Sequence, residues 1–224
     1  MKIGILGGTF NPIHYGHLRA AEEVQEMLAL DRILFIPSGK PPFKKPWLIS
    51  ARYRYEMTEI AIKNNPLFEI SDIEIRTSLN EPLAAISYSV ETLNKLIKKY
   101  KNTEFFFILG IDAFLDFHKW KQPRRLMTLT NLVIISRPGF SFVDLLSSPY
   151  FGNVHKKVIK EVDSGARTMV SFDLSTGKKV FLCEVTGLDI SASRIRSLVK
   201  AERTIKYLLP DSVESYILSH KLYK

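Results

Sequence analysis

Apolar residues along the chain fall into two kinds of pattern. Short continuous runs occur at Ile3–Leu6, Ile33–Ile36, Phe68–Ile75, Glu104–Leu109, Leu132–Ile135 and Val180–Val185. Their length and β-branched or aromatic content predict buried strands. Between them, apolar positions recur at helical spacing over Leu18–Leu30, Arg52–Asn64, Ser87–Tyr100, Val154–Val162 and Ile190–Ala201. Strand and helix alternate, which predicts an α/β fold: a doubly wound, mostly parallel sheet. Ser191 reads as the N-cap of one late helix, and Pro210-Asp211 opens another over Ser212–Ser219. These form a small helical part over 190–224 within a single domain spanning 1–224. Residues 140–183 read as a long connection with a hairpin around Ser175-Thr176-Gly177 and no assignable role.

Ligands of such sheets gather beyond the carboxyl ends of the strands, where the strand order reverses. Four polar segments follow strands here: Gly7 to His17, Pro37 to Lys45, Gly110-Ile111-Asp112, and Arg137-Pro138-Gly139. They are expected to share one site. His14 and His17 fall in or beside the first turn of the first helix, after the Gly7-Gly8 turn. Free backbone N–H groups and the helix dipole favour an anion there. Two imidazole donors added to that setting predict a phosphate site.

A length of 224 residues, with 46% hydrophobic and 25% charged residues, suits a soluble domain with a substantial core. No apolar run reaches the roughly 18–20 residues of a membrane span, and no signal peptide is visible. The single cysteine, Cys183, excludes an intrachain disulfide and a cysteine metal cluster, which fits a reducing cytoplasm. The net charge of +9 calls for a polyanionic partner. Basic residues are scattered, with no long basic block, so phosphate-rich small molecules are favoured over nucleic acid or a membrane surface.

Spacing removes two phosphate-binding classes. A Walker A loop ending at Gly39-Lys40 needs glycine at position 34, which is Leu34. A dinucleotide fingerprint needs Gly-x-Gly-x-x-Gly, whereas Gly7 and Gly8 are adjacent and the next glycine is Gly16. The acidic residue expected near the end of the second strand is absent, because that strand runs into Pro37-Ser38.

The stretch from Gly7 to His17 closely resembles the (H/T)xGH signature of the nucleotidyltransferase superfamily. More narrowly it resembles bacterial nicotinate-mononucleotide adenylyltransferases, whose motif reads GGTFDPxHxGH. The resemblance continues along the chain. Pro41-Pro42-Phe43-Lys44 is similar to the family's PPHK loop, and Arg54-Tyr55-Glu56-Met57 to its RxxM helix start. Ser87-Tyr88-Ser89-Val90-Glu91-Thr92 is similar to SYTxDT, and Gly110-Ile111-Asp112 to GAD. Trp120, Arg137-Pro138-Gly139 and the run from Ile190 to Arg196 are similar to the tryptophan, RPG and ISSTxIR elements. All occur in the family's order. The chain departs from the pattern at Asn11, where the family has Asp, and at Phe43, where it has His. The first change removes a negative charge beside the phosphates.

The resemblance implies a Rossmann-like nucleotidyltransferase fold and transfer of the adenylyl group of ATP to nicotinate mononucleotide, giving deamido-NAD and pyrophosphate. A phosphate nucleophile is already ionised at neutral pH, so catalysis reduces to alignment and charge stabilisation. The resemblance implies that His17 donates to the α-phosphoryl oxygens and that His14 orients the phosphates. Lys44 and Arg196 would hold the β- and γ-phosphates, with Ser193 at a second helix N-terminus. Gly7, Gly8, Thr9, Phe10, Gly110 and Ile190 would line the ATP side, and Asp112 would accept from the ribose. Trp120 would stack on the pyridine ring, with Arg54, Ser87, Tyr88, Ser89 and Arg137 on the mononucleotide side. Mg²⁺ would be carried with ATP, since no carboxylate cage is visible. A homo-oligomer is plausible on the same resemblance.

Taken singly, several of these residues have plainer readings. Asp112 serves equally as a helix N-cap, Arg54 as a helix-face charge, Trp120 as core and Lys44 as a solvated loop lysine. Zinc binding by the histidine pair would need further ligands, and His118, His155 and His220 bear no motif relation to it. Nicotinamide-mononucleotide and pantetheine-phosphate adenylyltransferases are alternative activities, and a non-catalytic nucleotide-binding module is the alternative class.

Overall fold

The computed structural model describes residues 1–41, 47–80, 86–151 and 156–224, with 77–80 as backbone only. The strands are β1 (Lys2–Gly8), β2 (Arg32–Pro37), β3 (Phe68–Ile70), β4 (Glu104–Gly110), β5 (Asn131–Ile135), β6 (Met169–Asp173) and β7 (Lys179–Cys183). Among the described residues they form one seven-stranded sheet in the order β3-β2-β1-β4-β5-β7-β6. Every neighbouring pair is parallel except β6 and β7. The central strands are apolar on both faces because both faces are covered by helices.

The order reverses between β1 and β4, which lie side by side with Leu6 opposite Ile108. Chain leaving β1 runs toward β2, and chain leaving β4 runs toward β5, so a crevice opens at their carboxyl ends. One face of the sheet packs α1 (Tyr15–Leu28), α2 (Ala51–Ile62), α8 (Ala192–Lys200) and α9 (Asp211–Ser219). The other packs α4 (Ser89–Lys99), α5 (Ile111–Leu115), α6 (Pro123–Leu129) and α7 (Lys156–Asp163). The alternating side chains of β1 divide accordingly, Leu6 to the first core and Ile3 and Ile5 to the second.

The structure corrects one reading and fills two gaps. The run Phe68–Ile75 is not one strand: β3 stops at Ile70 and α3 (Ile73–Asn80) follows. Ser71-Asp72 breaks the run, with the Ser71 hydroxyl accepting from Ile73 N–H at 3.4 Å and the Asp72 carbonyl from Arg76 N–H at 2.9 Å. The short helices α5 and α6 were not legible as helices, being only one to two turns long. Residues 140–183 have a structural role after all. A 3₁₀ turn at Phe142–Ser147 and α7 close the second core with Phe142, Leu145, Ile159 and Val162. The Asp163 carboxylate holds them together, accepting from Phe142 N–H at 2.7 Å and from the Ser141 hydroxyl. The hairpin around Ser175-Thr176-Gly177 is present as β6 and β7 and adds the antiparallel edge.

Candidate active site

From Gly7 and Gly8, the last residues of β1, the chain crosses the crevice to His14. The space over Gly7 is open: a methyl group there would meet nothing within 4 Å. At Gly8 the same group would lie 2.9 Å from the Phe10 ring, so glycine is required for Phe10 to fold back. Phe10 takes a left-handed backbone (φ 45°), an uncommon and strained conformation for a bulky residue. That fold buries its ring against Phe35 and sets it edge-on to His17, 5.1 Å between centroids.

His14 is the N-cap residue of α1, and its backbone N–H donates to His17 Nδ1 at 3.3 Å. A neutral His17 that accepts at Nδ1 carries its proton on Nε2, which becomes a fixed donor. The two imidazoles lie 3.8 Å apart at 30°. Burial holds the His14 pKa down to about 4, helped by the positive charge of Arg137. His17 is also held well below the usual histidine value, by burial, His14 and Arg137 in that order. At neutral pH the pair is therefore two uncharged donors within reach of the helix N-terminus.

A pH effect on stability follows. The folded His14 titrates near 4 and an unfolded histidine near 6.5, so between these values the unfolded chain binds more protons. Stability contributed by the neutral, buried form is complete above about 6.5 and falls as pH drops toward 4. The loss is on the order of 3 kcal/mol for the full shift. Thermal melts of wild type and His14→Gln should converge by about that amount as pH is lowered. Parallel curves would show that the buried imidazole does not titrate as described.

Arg137 follows β5, near enough for its charge to act on the pair. Its Nε lies 3.6 Å from Asp112 Oδ1, at the start of α5. Gly110 allows that approach, because a methyl group there would lie 2.3 Å from Asp112 Oδ1 and 3.0 Å from Arg137 Nε. Arg137 Nε and His14 Nδ1 are both buried without a hydrogen-bond partner. Buried polar atoms of this kind are rare unless a ligand or water completes them.

The second helix N-terminus arrives from α8. The Ser191 hydroxyl caps it by accepting from Arg194 N–H at 3.2 Å, while Ser193 stays exposed. The Ile190 carbonyl lies 3.8 Å from where a methyl on Gly16 would sit, so the starts of α1 and α8 abut. Arg196, one turn into α8, donates to the Asn11 carbonyl at 2.8 Å and lies over the Trp47 ring at 5.5 Å.

On the other side of the crevice, Ser87, Tyr88 and Ser89 lead into α4. Lys121 Nζ sits 4.3 Å over the Tyr88 ring and 2.6 Å from Glu91, which brings the segment after Trp120 against the start of α4. Trp120 is half-buried, edge-on to Phe107 at 6.1 Å and tilted on Phe117 at 5.4 Å. It is therefore anchored in the second core and only partly available.

Two residues expected on the mononucleotide are engaged elsewhere. Arg54 is fully buried, and its guanidinium donates to the carbonyls of Thr9 (2.7 Å), Ser38 (2.5 Å), Gly39 (3.1 Å) and Ile49 (3.3 Å). Burial lowers its pKa to about 10 without removing the charge at neutral pH. The Ser87 hydroxyl accepts from Lys40 N–H at 3.3 Å and bonds to Glu74. Arg54 and Ser87 thus tie the loops together from beneath. Lys44 and Phe43 lie outside the described residues.

Sequence reasoning missed Glu74 and Tyr223. The Glu74 carboxylate joins Thr92, Ser87 and the Gly39 backbone N–H, and its pKa is raised by burial. The polar break at Ser71-Asp72 was the signal for its helix. Asn11 was noticed for its charge alone. Its side chain is buried, with Nδ2 donating to the Trp47 carbonyl at 3.2 Å and Oδ1 accepting from the Tyr223 hydroxyl at 3.0 Å. No sequence pattern connects positions 11 and 223. Among the described residues no group of three His, Cys, Asp or Glu could hold a metal ion, and no helix is long and apolar enough to cross a membrane.

Comparison with known proteins agrees with the geometry. A cytidylyltransferase-like family model matches residues 5–198. A protein of Syntrophotalea carbinolica named "Probable nicotinate-nucleotide adenylyltransferase" is 45% identical over all of this chain and 98% of its own. One of Geotalea daltonii with the same name is 42% identical over the same shares. Among solved structures, Plasmodium falciparum nicotinic acid mononucleotide adenylyltransferase complexed with NaAD superposes with a TM-score of 0.71. It is 20% identical and matches 99% of this chain and 97% of its own, a likeness of fold. The chain is a nucleotidyltransferase of the cytidylyltransferase-like family, within its nicotinate-nucleotide adenylyltransferase branch.

Proposed function

We propose that the chain transfers the adenylyl group of MgATP to nicotinate mononucleotide, releasing pyrophosphate and deamido-NAD. The observation that carries this reading is the convergence in one crevice of neutral His14 and His17, Arg137, and Arg196 from a second helix start. These groups supply hydrogen bonds and positive charge with no dedicated base, which suits attack by a phosphate that is already ionised.

The Nε2–H of His17 donates to the α-phosphoryl oxygens as charge builds on them. A neutral imidazole suits this role, because its proton is held for hydrogen bonding and is not given up to solvent. His14 orients the same phosphates through its unpaired Nδ1. Arg137, which the resemblance sets on the mononucleotide side, lies against Asp112 with a buried, unpaired Nε, and its charge also reaches both imidazoles, so we place it toward the phosphates. Arg196 and Ser193 hold the β- and γ-phosphates with Lys44, and the magnesium ion enters bound to the triphosphate. Asp112 is half-exposed and receives the ribose hydroxyls. Ser89 at the start of α4 and the free part of Trp120 receive the nicotinate end. The reaction belongs in the cytoplasm, where ATP and a reducing environment for buried Cys183 coincide.

Pyrophosphate release from MgATP tests the reading, with nicotinate mononucleotide, nicotinamide mononucleotide and phosphopantetheine supplied in turn. Release with the nicotinate acceptor, at least tenfold faster than with its amide, is expected from donors that favour a carboxylate. Preference for either other acceptor reassigns the substrate. Release with none would leave a nucleotide-binding module.

A further inference from the structure

Four segments far apart in sequence meet at Asn11. Its carbonyl accepts from Arg196 at 2.8 Å, its Nδ2 donates to the Trp47 carbonyl, and its Oδ1 accepts from the Tyr223 hydroxyl at 3.0 Å. The Trp47 ring then lies 5.5 Å beneath the Arg196 guanidinium, closing a ring of contacts. The ring joins the β1 loop, the residue three positions beyond Lys44 and the first turns of α8, and Tyr223 in the turn after α9 is tied to it through Asn11. Asn11 is 4% exposed, so a side chain lacking any of these partners would leave a buried polar atom unpaired. An amide fits both ends, because it donates to a carbonyl and accepts from a hydroxyl. A carboxylate at position 11 has no proton for the Trp47 carbonyl. The tyrosine is equally fitted as the donor. Burial pushes its phenol above the usual value, so the hydroxyl keeps its proton. Tyr223 itself holds a left-handed backbone (φ 66°), a conformation that the surrounding contacts must maintain.

From this ring we infer that Tyr223 is a positioning residue for ATP binding, acting through Asn11 to fix the Arg196 guanidinium at the phosphate end of the crevice. The inference rests on the adenylyltransferase reading above. Among the described residues, no hydrogen bond, ion pair or ring contact joins these groups to Tyr88, Ser89 or Trp120, on the proposed mononucleotide side. Loss of the hydroxyl therefore acts on one substrate.

The test uses Tyr223→Phe, Arg196→Ala and the double variant of the full chain. MgATP binding is measured by calorimetry without acceptor, beside steady-state kinetics and melting temperature. Tyr223→Phe is expected to weaken MgATP binding and raise its KM about fivefold, the scale of one net hydrogen bond. The kcat and the KM of nicotinate mononucleotide should change less than about twofold. In the Arg196→Ala background the same substitution should have no further effect on MgATP, because the group it positions is gone. Equal weakening in both backgrounds overturns the inference, as does MgATP binding by Tyr223→Phe at wild-type strength. A parallel loss in melting temperature and in both KM values overturns it too, by assigning Tyr223 to packing alone. A wild-type chain that binds no MgATP would overturn the proposed function itself, an outcome distinct from a wild type and a Tyr223→Phe variant that bind equally.

Discussion

Replacing His17 with alanine is expected to lower kcat by roughly 10²–10⁴ and to leave the fold intact. The side chain contributes a fixed Nε2–H donor, held by the hydrogen bond that His14 N–H gives to Nδ1. Its ring packs edge-on to Phe10 and beside the His14 ring and is partly exposed, so its removal opens a gap that solvent can enter. The charge it meets is greatest when the phosphorus is five-coordinate, so the loss should fall on kcat more than on MgATP affinity. Pre-steady-state pyrophosphate release, with MgATP binding measured separately, distinguishes the two. A folded variant turning over within a few-fold of wild type would remove His17 from the reaction.

The character of that donor explains why two histidines were legible in the sequence while their state was not. Their position after a strand and a glycine turn predicts a helix start, and α1 begins at Tyr15. The spacing i, i+3 places them on one face, but it does not say that the rings lie 3.8 Å apart at a 30° tilt or that the charge of Arg137 reaches them. Charge state depends on burial and on a residue 120 positions away, which arrives only because β5 pairs with β4. A reading made one motif at a time has no means of bringing Arg137 to the histidine pair.

The sheet was legible for a related reason. Strands β1, β2, β4 and β5 are buried on both faces, so they appear as continuous apolar runs with little else to confuse them. At β3 only three residues pair, and the apolar run carries on into α3, so run length alone misjudged it. A motif places a residue along the chain, but it does not give the partners of its side chain. Arg54, Ser87 and Asn11 look like site residues in one dimension. Each turns out to spend its side chain on carbonyls, N–H groups or a hydroxyl of neighbouring loops. A polar residue near a site reads the same in sequence whether it meets substrate or holds the wall that does.

Arg54 shows how large that second role is. Arg54→Met is expected to destabilise the protein by roughly 3–5 kcal/mol, because it removes a fully buried guanidinium that donates to four carbonyls of partly buried loops. For a chain of this size that corresponds to a fall in melting temperature of about 10 °C. Methionine keeps most of the volume, so the loss reports on hydrogen bonds and not on a cavity. Arg54→Lys should fall between the two, since an ammonium cannot span the Thr9, Ser38, Gly39 and Ile49 carbonyls that the planar guanidinium serves together. Thr9 lies on the loop beyond β1 and Ser38 and Gly39 on the loop beyond β2, so activity should decline for both substrates in step with stability. A direct contact gives another pattern: one KM raised in Arg54→Lys, with an unchanged melting temperature. That pattern would return Arg54 to the substrate, whereas a stable, active Arg54→Met would show that the loops hold without it.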